Sequence, residues 1–238
     1  MTTALVRVDE QLRFLLHSRH RHGDVTVPAD GSASLLHLVQ SLGIPWTEIG
    51  ELRLDGAPVP LTARPTAGAT VDVRPVSRPQ PLAQPRFLLD AHLGTLARRM
   101  RLLGIDTGYR NDADDDELVV EATDQGRLLL SQDRGLLCRR TLPAGGYVRG
   151  SRPDDQLADV LDRYRPPLAP WSRCPACNGL LRPVPKDEVE HLLRPGTRRS
   201  YTEFSRCLSC GRPYWRGAHA SYLEGIVRRH QIGTPEAS

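Results

Sequence analysis

Two short apolar runs of this chain are each followed by an aspartate, and an acidic cluster lies between them. Phe87–Leu89 leads directly into Asp90, and Leu128–Ser131 leads into Asp133. The cluster comprises Asp112, Asp114, Asp115, Asp116 and Glu117. Both runs have strand character, and carboxylates at the ends of neighbouring parallel strands converge on one crevice. Such groups repel one another unless a cation sits among them, and oxygen ligands suit Mg²⁺ or Mn²⁺. The pattern indicates metal-dependent attack on a phosphodiester.

Each of these acids also has a structural interpretation. Acidic residues at a helix start cap the helix and complement its dipole, which suits the run from Asp114 to Glu117. Asp90 can cap a helix that begins at Ala91, and Asp133 can cap a loop. However, the three acidic positions lie at corresponding points of an alternating strand–helix pattern, without an adjacent lysine. Arg134 is the one cation next to them in sequence, and it is a candidate contact for phosphate. We therefore expect a carboxylate metal site.

Two cysteine pairs predict a second, different metal site. Cys174 and Cys177 form one CxxC pair, and Cys207 and Cys210 form the other after a gap of 29 residues. Four thiolates with this spacing suit tetrahedral Zn²⁺, and with no open coordination position the ion is structural. The gap exceeds the common spacing, so we expect a helix or loop inserted at residues 187–193. Disulfides are the alternative, which a cytosolic chain disfavours.

The charge distribution points to a polyanion at the C-terminal third. The net charge is +4, and residues 166–238 contain eleven basic and six acidic side chains. Within this region Trp215, Arg216 and His219 are candidates for stacking on bases or holding a phosphate. The alternative is that the aromatic residues form the core of a small zinc domain.

The order of predicted elements divides the chain into an N-terminal β-grasp module, an α/β domain and a cysteine-based domain. The predicted boundaries are 1–77, a Pro-rich linker at 78–85, 86–168, 169–230 and a flexible tail at 231–238. Alternation over residues 4–16 and 24–28 predicts a hairpin; helical spacing over 34–42 and strands near 52–54 and 70–76 follow. This order resembles ubiquitin-like modules of the sulfur-carrier branch. Those act through a C-terminal Gly-Gly tail, whereas Gly145-Gly146 is internal here, so sulfur carriage is not expected.

The α/β domain is expected to contain a parallel sheet, because strands and helices alternate from Arg86 onward. A helix through Leu157 and Tyr164 is predicted to be capped by Asp154 or Asp155. The fold class is thus α/β and α+β in several domains. No apolar run approaches the roughly 20 residues that span a bilayer, and the start lacks a signal-peptide core. A cytoplasmic protein without a membrane partner is therefore expected.

Three stretches together resemble the Mut7-C ribonuclease family, which couples a PIN-like nuclease domain to a C-terminal zinc ribbon. They are FLLDAHLGTLARRMRLLGIDT at 87–107, DDEL at 115–118 and LLSQDRGL at 129–136. The resemblance extends over about 86–225 and includes both cysteine pairs. The N-terminal module is similar to the ubiquitin-like domain that often precedes this family.

The resemblance implies a metal-dependent ribonuclease with Asp90, Asp116 and Asp133 as ligands of Mg²⁺ or Mn²⁺. Asp115 can replace Asp116 through an offset of one residue. The family commonly has serine before the final histidine, where this chain has Ala218 before His219. The implied partner is RNA, with the ribosome or another protein at the N-terminal module. The alternative function is a non-catalytic RNA-binding or ribosome-associated protein.

Overall fold

The computed structural model describes residues 2–80, 82–217 and 224–228. Its chain contacts define two compact units, each built from two separate stretches. The first unit combines Met1–Gln80 with Asp114–Val148, and the second combines Pro81–Ala113 with Arg149–Ser238. The domain boundaries proposed from sequence stay predictions.

The N-terminal stretch of the first unit has the expected ubiquitin-like fold. Its sheet has the order β2-β1-β5-β3-β4, in which β1 and β5 are parallel and the other neighbours are antiparallel. The strands are β1 (Thr3–Val8), β2 (Val25–Pro28), β3 (Ile49–Leu54), β4 (Ala57–Val59) and β5 (Thr70–Pro75). Helix α1 (Leu35–Ser41) begins where Ser34 Oγ accepts from the His37 amide at 3.3 Å. Inward-facing residues of the strands and α1 share one apolar core.

The predicted first strand is wrong beyond Val8. Asp9 Oδ1 accepts from the Gln11 amide at 2.9 Å and caps a 3-10 helix over Glu10–Leu15. This helix buries Leu12 and Leu15. The alternation of apolar residues in the sequence continues past Val8, but the Asp9 cap starts a 3-10 helix and ends the strand there.

The other stretch of the first unit contains the acidic cluster and the second strand-ending aspartate. It consists of α3 (Asp115–Gln125), β8 (Leu128–Ser131), α4 (Arg134–Leu137) and β9 (Gly145–Tyr147). β8 and β9 pair in parallel, and Gly126 ends α3 in the left-handed conformation with φ of 59°. Gly145 and Gly146 lie buried within β9, so they do not form a carrier tail.

Side-chain hydrogen bonds join these two stretches of the first unit. They run from Gln40 to the Cys138 carbonyl (2.9 Å), from Trp46 to the Arg139 carbonyl (3.4 Å), from the Tyr147 amide to Glu48 (2.7 Å) and from Arg134 to the Leu15 carbonyl. Tyr147 also packs on the N-terminal core, with its ring centroid 5.6 Å from that of Phe14. The segment around α4 and β9 is therefore anchored to the ubiquitin-like fold.

The second unit begins with the other parallel strand pair. Its nuclease-like part comprises β6 (Arg86–Leu89), α2 (Gly94–Leu102), β7 (Asp106–Tyr109) and α5 (Pro153–Tyr164), with β6 parallel to β7. The predicted cap of α5 is wrong: Arg152 is the N-cap residue and Pro153 follows it inside the helix. Proline suits a first helical position because it lacks the amide that would be unpaired there, and Asp154 and Asp155 lie in the first turn.

A three-stranded antiparallel sheet completes the second unit. Its order is β10-β11-β12, formed by β10 (Leu181–Val184), β11 (Phe204–Cys207) and β12 (Pro213–Trp215). The long gap between the cysteine pairs holds α6 (Lys186–Val189), a short 3-10 turn and α7 (Pro195–Ser200), which confirms an inserted helix. Val184, Val189 and Phe204 form its small core.

The expected fold class is confirmed as a mixed α/β protein with a ubiquitin-like domain and parallel strand pairs. None of the helices in the described part of the chain has the length and apolar character that crossing a bilayer requires.

Candidate functional site

Asp90 lies directly after strand β6, and it is nearly buried, with 7% of the residue exposed. It occupies the N-cap position of a 3-10 helix over Ala91–Leu93, but its carboxylate accepts no capping hydrogen bond from that helix. The turn that follows lies close to β7, since the Tyr109 hydroxyl donates to the Ala91 carbonyl at 2.9 Å. A side chain at Gly94 would place its Cβ 2.5 Å from the same hydroxyl, so glycine is needed there. Helix capping does not account for this buried carboxylate.

Asp133 lies at the start of α4 after strand β8, and it is exposed. Its Oδ1 accepts from the amides of Gly135 at 2.6 Å and Leu136 at 3.3 Å. Its own amide donates to Ser131 Oγ at 2.8 Å. Oδ2 has no hydrogen-bond partner among the described residues. One carboxylate oxygen therefore fixes the turn, and the other remains available to a ligand.

The acidic cluster separates into capping residues and an exposed pair. Asp114 and Glu117 form a reciprocal capping box, with the Glu117 amide 2.8 Å from Asp114 Oδ1 and the Asp114 amide 3.3 Å from Glu117 Oε2. Asp112 pairs with Arg110 at 3.5 Å. Asp116 instead points to solvent, with 86% of its side chain exposed. Of the two candidate ligands, Asp115 is the less exposed.

Arg139 is a charged partner of this pair that sequence reasoning missed. Its guanidinium donates to Asp116 Oδ1 and also lies 3.3 Å from Asp115 Oδ2. The hydrogen bond with Asp116 is the largest cause of a raised pKa at Arg139. Arg134, the cation expected to lie nearest, donates to the Leu15 carbonyl instead. No local signal connects Arg139 to Asp116, because the two residues are 23 positions apart.

The four cysteine sulfurs form a compact cluster with the geometry that zinc requires. Sγ atoms of Cys174, Cys177, Cys207 and Cys210 all lie within 4.8 Å of one another. Cys174 and Cys210 are 3.7 Å apart, and Cys177 and Cys207 are 3.5 Å apart. Sulfurs at about 2.3 Å from a tetrahedral Zn²⁺ lie about 3.8 Å from each other. In the part of the chain that the structure describes, this is the one group of three or more Cys, His, Asp or Glu side chains close enough to share an ion.

The turns and the electrostatics of the cysteine cluster also suit a cation. Asn178 and Gly211 follow the two pairs in the left-handed conformation, with φ of 67° and 73°. Partial desolvation raises the pKa of Cys177 to about 12. Desolvation acts the same way on Cys174, but hydrogen bonds from the Tyr214 hydroxyl and nearby amides outweigh it and lower the pKa to about 7. A divalent cation is therefore needed to hold all four groups as thiolates.

The first cysteine pair is bonded to the nuclease-like part of the second unit. Asn178 Oδ1 accepts from the Thr107 amide at 3.0 Å, and Asn178 Nδ2 donates to Asp106 at 2.8 Å. The buried Arg101 donates to the Thr107 carbonyl at 2.9 Å and to the Ala176 carbonyl at 3.0 Å. The turn that follows the first cysteine pair thus covers the free edge of β7.

The C-terminal candidates for RNA contact divide between core and surface. Trp215 lies on β12 and is half-buried, with ring centroids of Phe204 at 6.4 Å and Tyr201 at 6.1 Å. Trp215 therefore contributes to the small core but also lines a cavity, as Arg216 does. Arg216 is exposed. His219 lies outside the described residues.

Comparison with known families agrees with this architecture. The Mut7-C RNAse domain matches residues 85–227, and the Mut7-C ubiquitin domain matches residues 1–81. No curated protein and no solved structure matched the chain. The ribonuclease match covers more than half of the chain, includes both strand-ending aspartates and the cysteine cluster, and indicates a nuclease-type function. The chain belongs to the Mut7-C RNAse domain family and has a Mut7-C ubiquitin domain at its N-terminal end.

Proposed function

We propose that this protein is a metal-dependent ribonuclease whose site is formed by Asp90, Asp116 and Asp133. The observation that carries the proposal is the ribonuclease-domain match, since residues 85–227 contain all three aspartates. Asp90 directly follows β6, and Asp133 lies two residues after β8. Both strands belong to parallel pairs, and α/β proteins bind ligands at the carboxyl ends of such strands. Support also comes from Asp133, whose second oxygen faces solvent while the first holds the turn.

Carboxylate oxygens are the ligands that Mg²⁺ and Mn²⁺ prefer, although the described structure does not bring these three aspartates close enough to share one ion. Asp133 and Asp116 each keep one carboxylate oxygen outside the hydrogen bonds made by the described residues. When bound, such a cation makes water a better nucleophile and neutralises charge on the scissile phosphate. In this proposal Asp90, buried after β6, supplies one carboxylate ligand, and Asp116 exchanges Arg139 for the cation.

The chain's own residues then position the RNA. Arg139, released from Asp116, is close enough to that carboxylate to pair with a phosphate held there. Because water rather than the ribose 2′-hydroxyl is the nucleophile, we expect products with 5′-phosphate and 3′-hydroxyl ends. We also propose that the cysteine cluster binds structural Zn²⁺ and that its domain contributes to RNA binding. A cytoplasmic location suits zinc-bound thiolates.

The test is Mn²⁺-dependent cleavage of a panel of end-labelled RNAs by the wild-type chain and by Asp133→Asn. Asparagine caps helices as well as aspartate does, so the turn at α4 should be preserved. We expect loss of cleavage by at least about 100-fold, because a cation ligand is removed, while RNA binding is retained.

Asp112→Asn is the matched control. Asp112 is an exposed aspartate of the same acidic cluster, and it pairs with Arg110 rather than with a proposed ligand. The Asp112→Asn variant should cleave RNA at the wild-type rate. Unchanged cleavage in Asp133→Asn, or no cleavage of any RNA by the wild-type chain, would contradict the proposal.

The ion pairs of Arg139 favour one second candidate, a non-catalytic RNA-binding or ribosome-associated protein. In that case Arg139 neutralises Asp116 permanently and the carboxylates are structural. The N-terminal module would then be the surface for the ribosome or another protein. RNA binding without metal-dependent cleavage, unaffected by Asp133→Asn, would identify this function.

A further inference from the structure

A cleft of about 690 Å³ lies within the second unit, between helices α2 and α5 and the cysteine-based domain. Its size is that of pockets that hold small ligands or single nucleotide units. Residues Arg98, Arg99 and Leu102 of α2 form one side, and Tyr201 and Trp215 of the cysteine-based domain face them. The cleft is separate from all three proposed carboxylate ligands, none of which lines it.

The lining of this cleft is unusually aromatic for a chain with an aromatic content of 5%. Trp171, Tyr201 and Trp215 contribute ring surface, and each is only half-buried. Tyr201 and Trp215 are tilted at 40° and do not stack face to face. The two rings therefore do not cover each other by face-to-face stacking, and each keeps part of its surface exposed. Stacking on aromatic side chains is favourable for a planar ligand.

The charge of the cleft is positive. Of the described residues that line it, none is acidic, and two are arginines. Arg99 is paired with Asp154, but Arg98 is exposed and has no ion-pair or hydrogen-bond partner among the described residues. The surrounding region, residues 166–238, also carries an excess of five positive charges. A ligand with planar rings and negative charge fits both features.

We propose that this cleft binds a segment of single-stranded RNA, with a base against Trp215 and Tyr201 and a phosphate against Arg98. This inference rests on the proposed ribonuclease function for the identity of the ligand, and it adds a binding site distant in sequence from the carboxylates. Duplex RNA does not expose base faces, so the site selects unpaired nucleotides. The site reads ring faces rather than base edges, so binding is tolerant of sequence.

The experiment measures binding without cleavage. The full-length chain carrying Asp133→Asn is titrated with a fluorescein-labelled 12-nucleotide oligouridine, and anisotropy gives the dissociation constant. Adding Arg98→Ala should weaken binding by about ten-fold and reduce the slope of log affinity against log salt by about 0.7, the contribution of one phosphate contact.

Arg194→Ala is the matched control for charge. Arg194 is an exposed arginine of the same unit that lies outside the cleft, and the described residues offer its side chain no partner. Its removal changes the net charge by the same amount, so non-specific attraction to RNA falls equally in both variants. Any further loss of oligouridine affinity in Arg98→Ala, beyond that in Arg194→Ala, therefore measures the contribution of the cleft.

Two further variants test stacking without requiring a large change in the core. Tyr201→Phe keeps the ring and should bind like the parent. Tyr201→Leu keeps apolar bulk without a ring, and its affinity should be lower by about five-fold or more.

Two of the chain's three tryptophans line the cleft, so unlabelled oligouridine should quench the intrinsic tryptophan fluorescence. The quenching should persist in Trp46→Phe, because Trp46 lies in the first unit.

Each outcome bears on the inference separately from the proposed function. Equal affinities for Arg98→Ala and Arg194→Ala, together with no quenching of tryptophan fluorescence by oligouridine, would overturn the cleft as an RNA site even if the wild-type chain cleaves RNA. Cleft-dependent binding in a chain that never cleaves RNA would support the inference and refute the ribonuclease proposal. Equal affinity of the parent for duplex and single-stranded RNA would overturn the preference for unpaired nucleotides.

Discussion

At the scale of single residues, the carboxylates of the acidic cluster have distinct roles despite their similarity in sequence. Asp114 satisfies the helix terminus, whereas Asp116 extends into solvent and meets Arg139. Arg139 therefore occupies one of the two Asp116 oxygens and places a positive charge beside the proposed cation site. The competition between them is electrostatic, and it takes place where solvent screens the charges.

Arg139→Ala should make the proposed metal site easier to fill. Without the guanidinium, the cation no longer displaces a bound charge from Asp116. Exposed ion pairs contribute little, so the Mn²⁺ concentration for half-maximal cleavage should fall by at most roughly five-fold. Arg140→Ala is the control, since that neighbouring arginine is exposed and has no described partner. A rise in the Mn²⁺ requirement would contradict this competition between Arg139 and the cation.

The difference between Arg134 and Arg139 shows what could be predicted at this scale. Asp90 and Asp133 were predictable as acids at strand ends because each lies within two residues of the end of an apolar run. The ion pair of Asp116 with Arg139 was not predictable, because it depends on how the chain folds back and not on nearness in the sequence. The two CxxC pairs were predictable for the opposite reason, since short spacing alone brings two sulfurs to one ion.

At the scale of elements, the turn after the first cysteine pair acts as the neighbour that β7 lacks on one side. Asn178 accepts from the Thr107 amide, and Arg101 bridges the Thr107 carbonyl to the turn. A strand edge with unsatisfied amides is unstable and prone to pairing with other chains. The cysteine cluster therefore supports a strand of the nuclease-like part as well as its own sheet.

Asn178→Gly should destabilise β7 and leave zinc bound. Glycine tolerates the positive φ of this position, so the backbone turn is preserved while the side-chain hydrogen bonds are lost. Leaving the Thr107 amide unpaired should cost about 1–3 kcal/mol. Hydrogen exchange at Thr107 should accelerate, and thermal unfolding should occur at lower temperature.

The control for this change is Asn111→Gly, at an exposed asparagine without a described side-chain hydrogen bond. Its effect on Thr107 exchange should be negligible, and zinc content should be equal in both variants and the wild type. Loss of zinc from Asn178→Gly would show that the turn itself had failed, which contradicts a role limited to the β7 edge.

Whether a segment forms a helix or a strand was predictable where the spacing of apolar residues and the capping residue indicated the same element, as in α1 with Ser34 before it. The prediction failed where these two signals indicated different elements. The apolar period continued from β1 into residues 10–15, but the Asp9 cap produced a 3-10 helix. The start of α5 was misplaced because Pro153, rather than an acid, sets the first turn.

At the scale of the whole molecule, the ubiquitin-like fold supports the segment that contains Asp133. Tyr147 packs on its core, and Glu48, which is almost fully buried, accepts from the Tyr147 amide. Gln40 fixes the chain just after α4. The N-terminal module therefore has an internal role in the first unit, which sequence order alone did not indicate.

Leu35→Ala should loosen both stretches of the first unit together. Leu35 is fully buried in the N-terminal core, and such truncations cost about 2–5 kcal/mol. Hydrogen exchange should accelerate in α4 and β9 as well as in β1. Val120→Ala, at an exposed position on α3 of the same unit, should change neither region. Acceleration confined to residues 1–80 would show that the two stretches unfold independently.

The interleaving of the first unit has a consequence during synthesis. The N-terminal stretch leaves the ribosome first, but Tyr147 and the chain up to Val148 emerge only later. At about 5–20 residues per second, this interval lasts roughly 3 to 14 s. Throughout it, the Phe14 ring lacks the aromatic neighbour that it contacts in the finished protein. The N-terminal module therefore completes its packing only after Tyr147 has been translated, and until then the unpacked part of its apolar surface is open to aggregation.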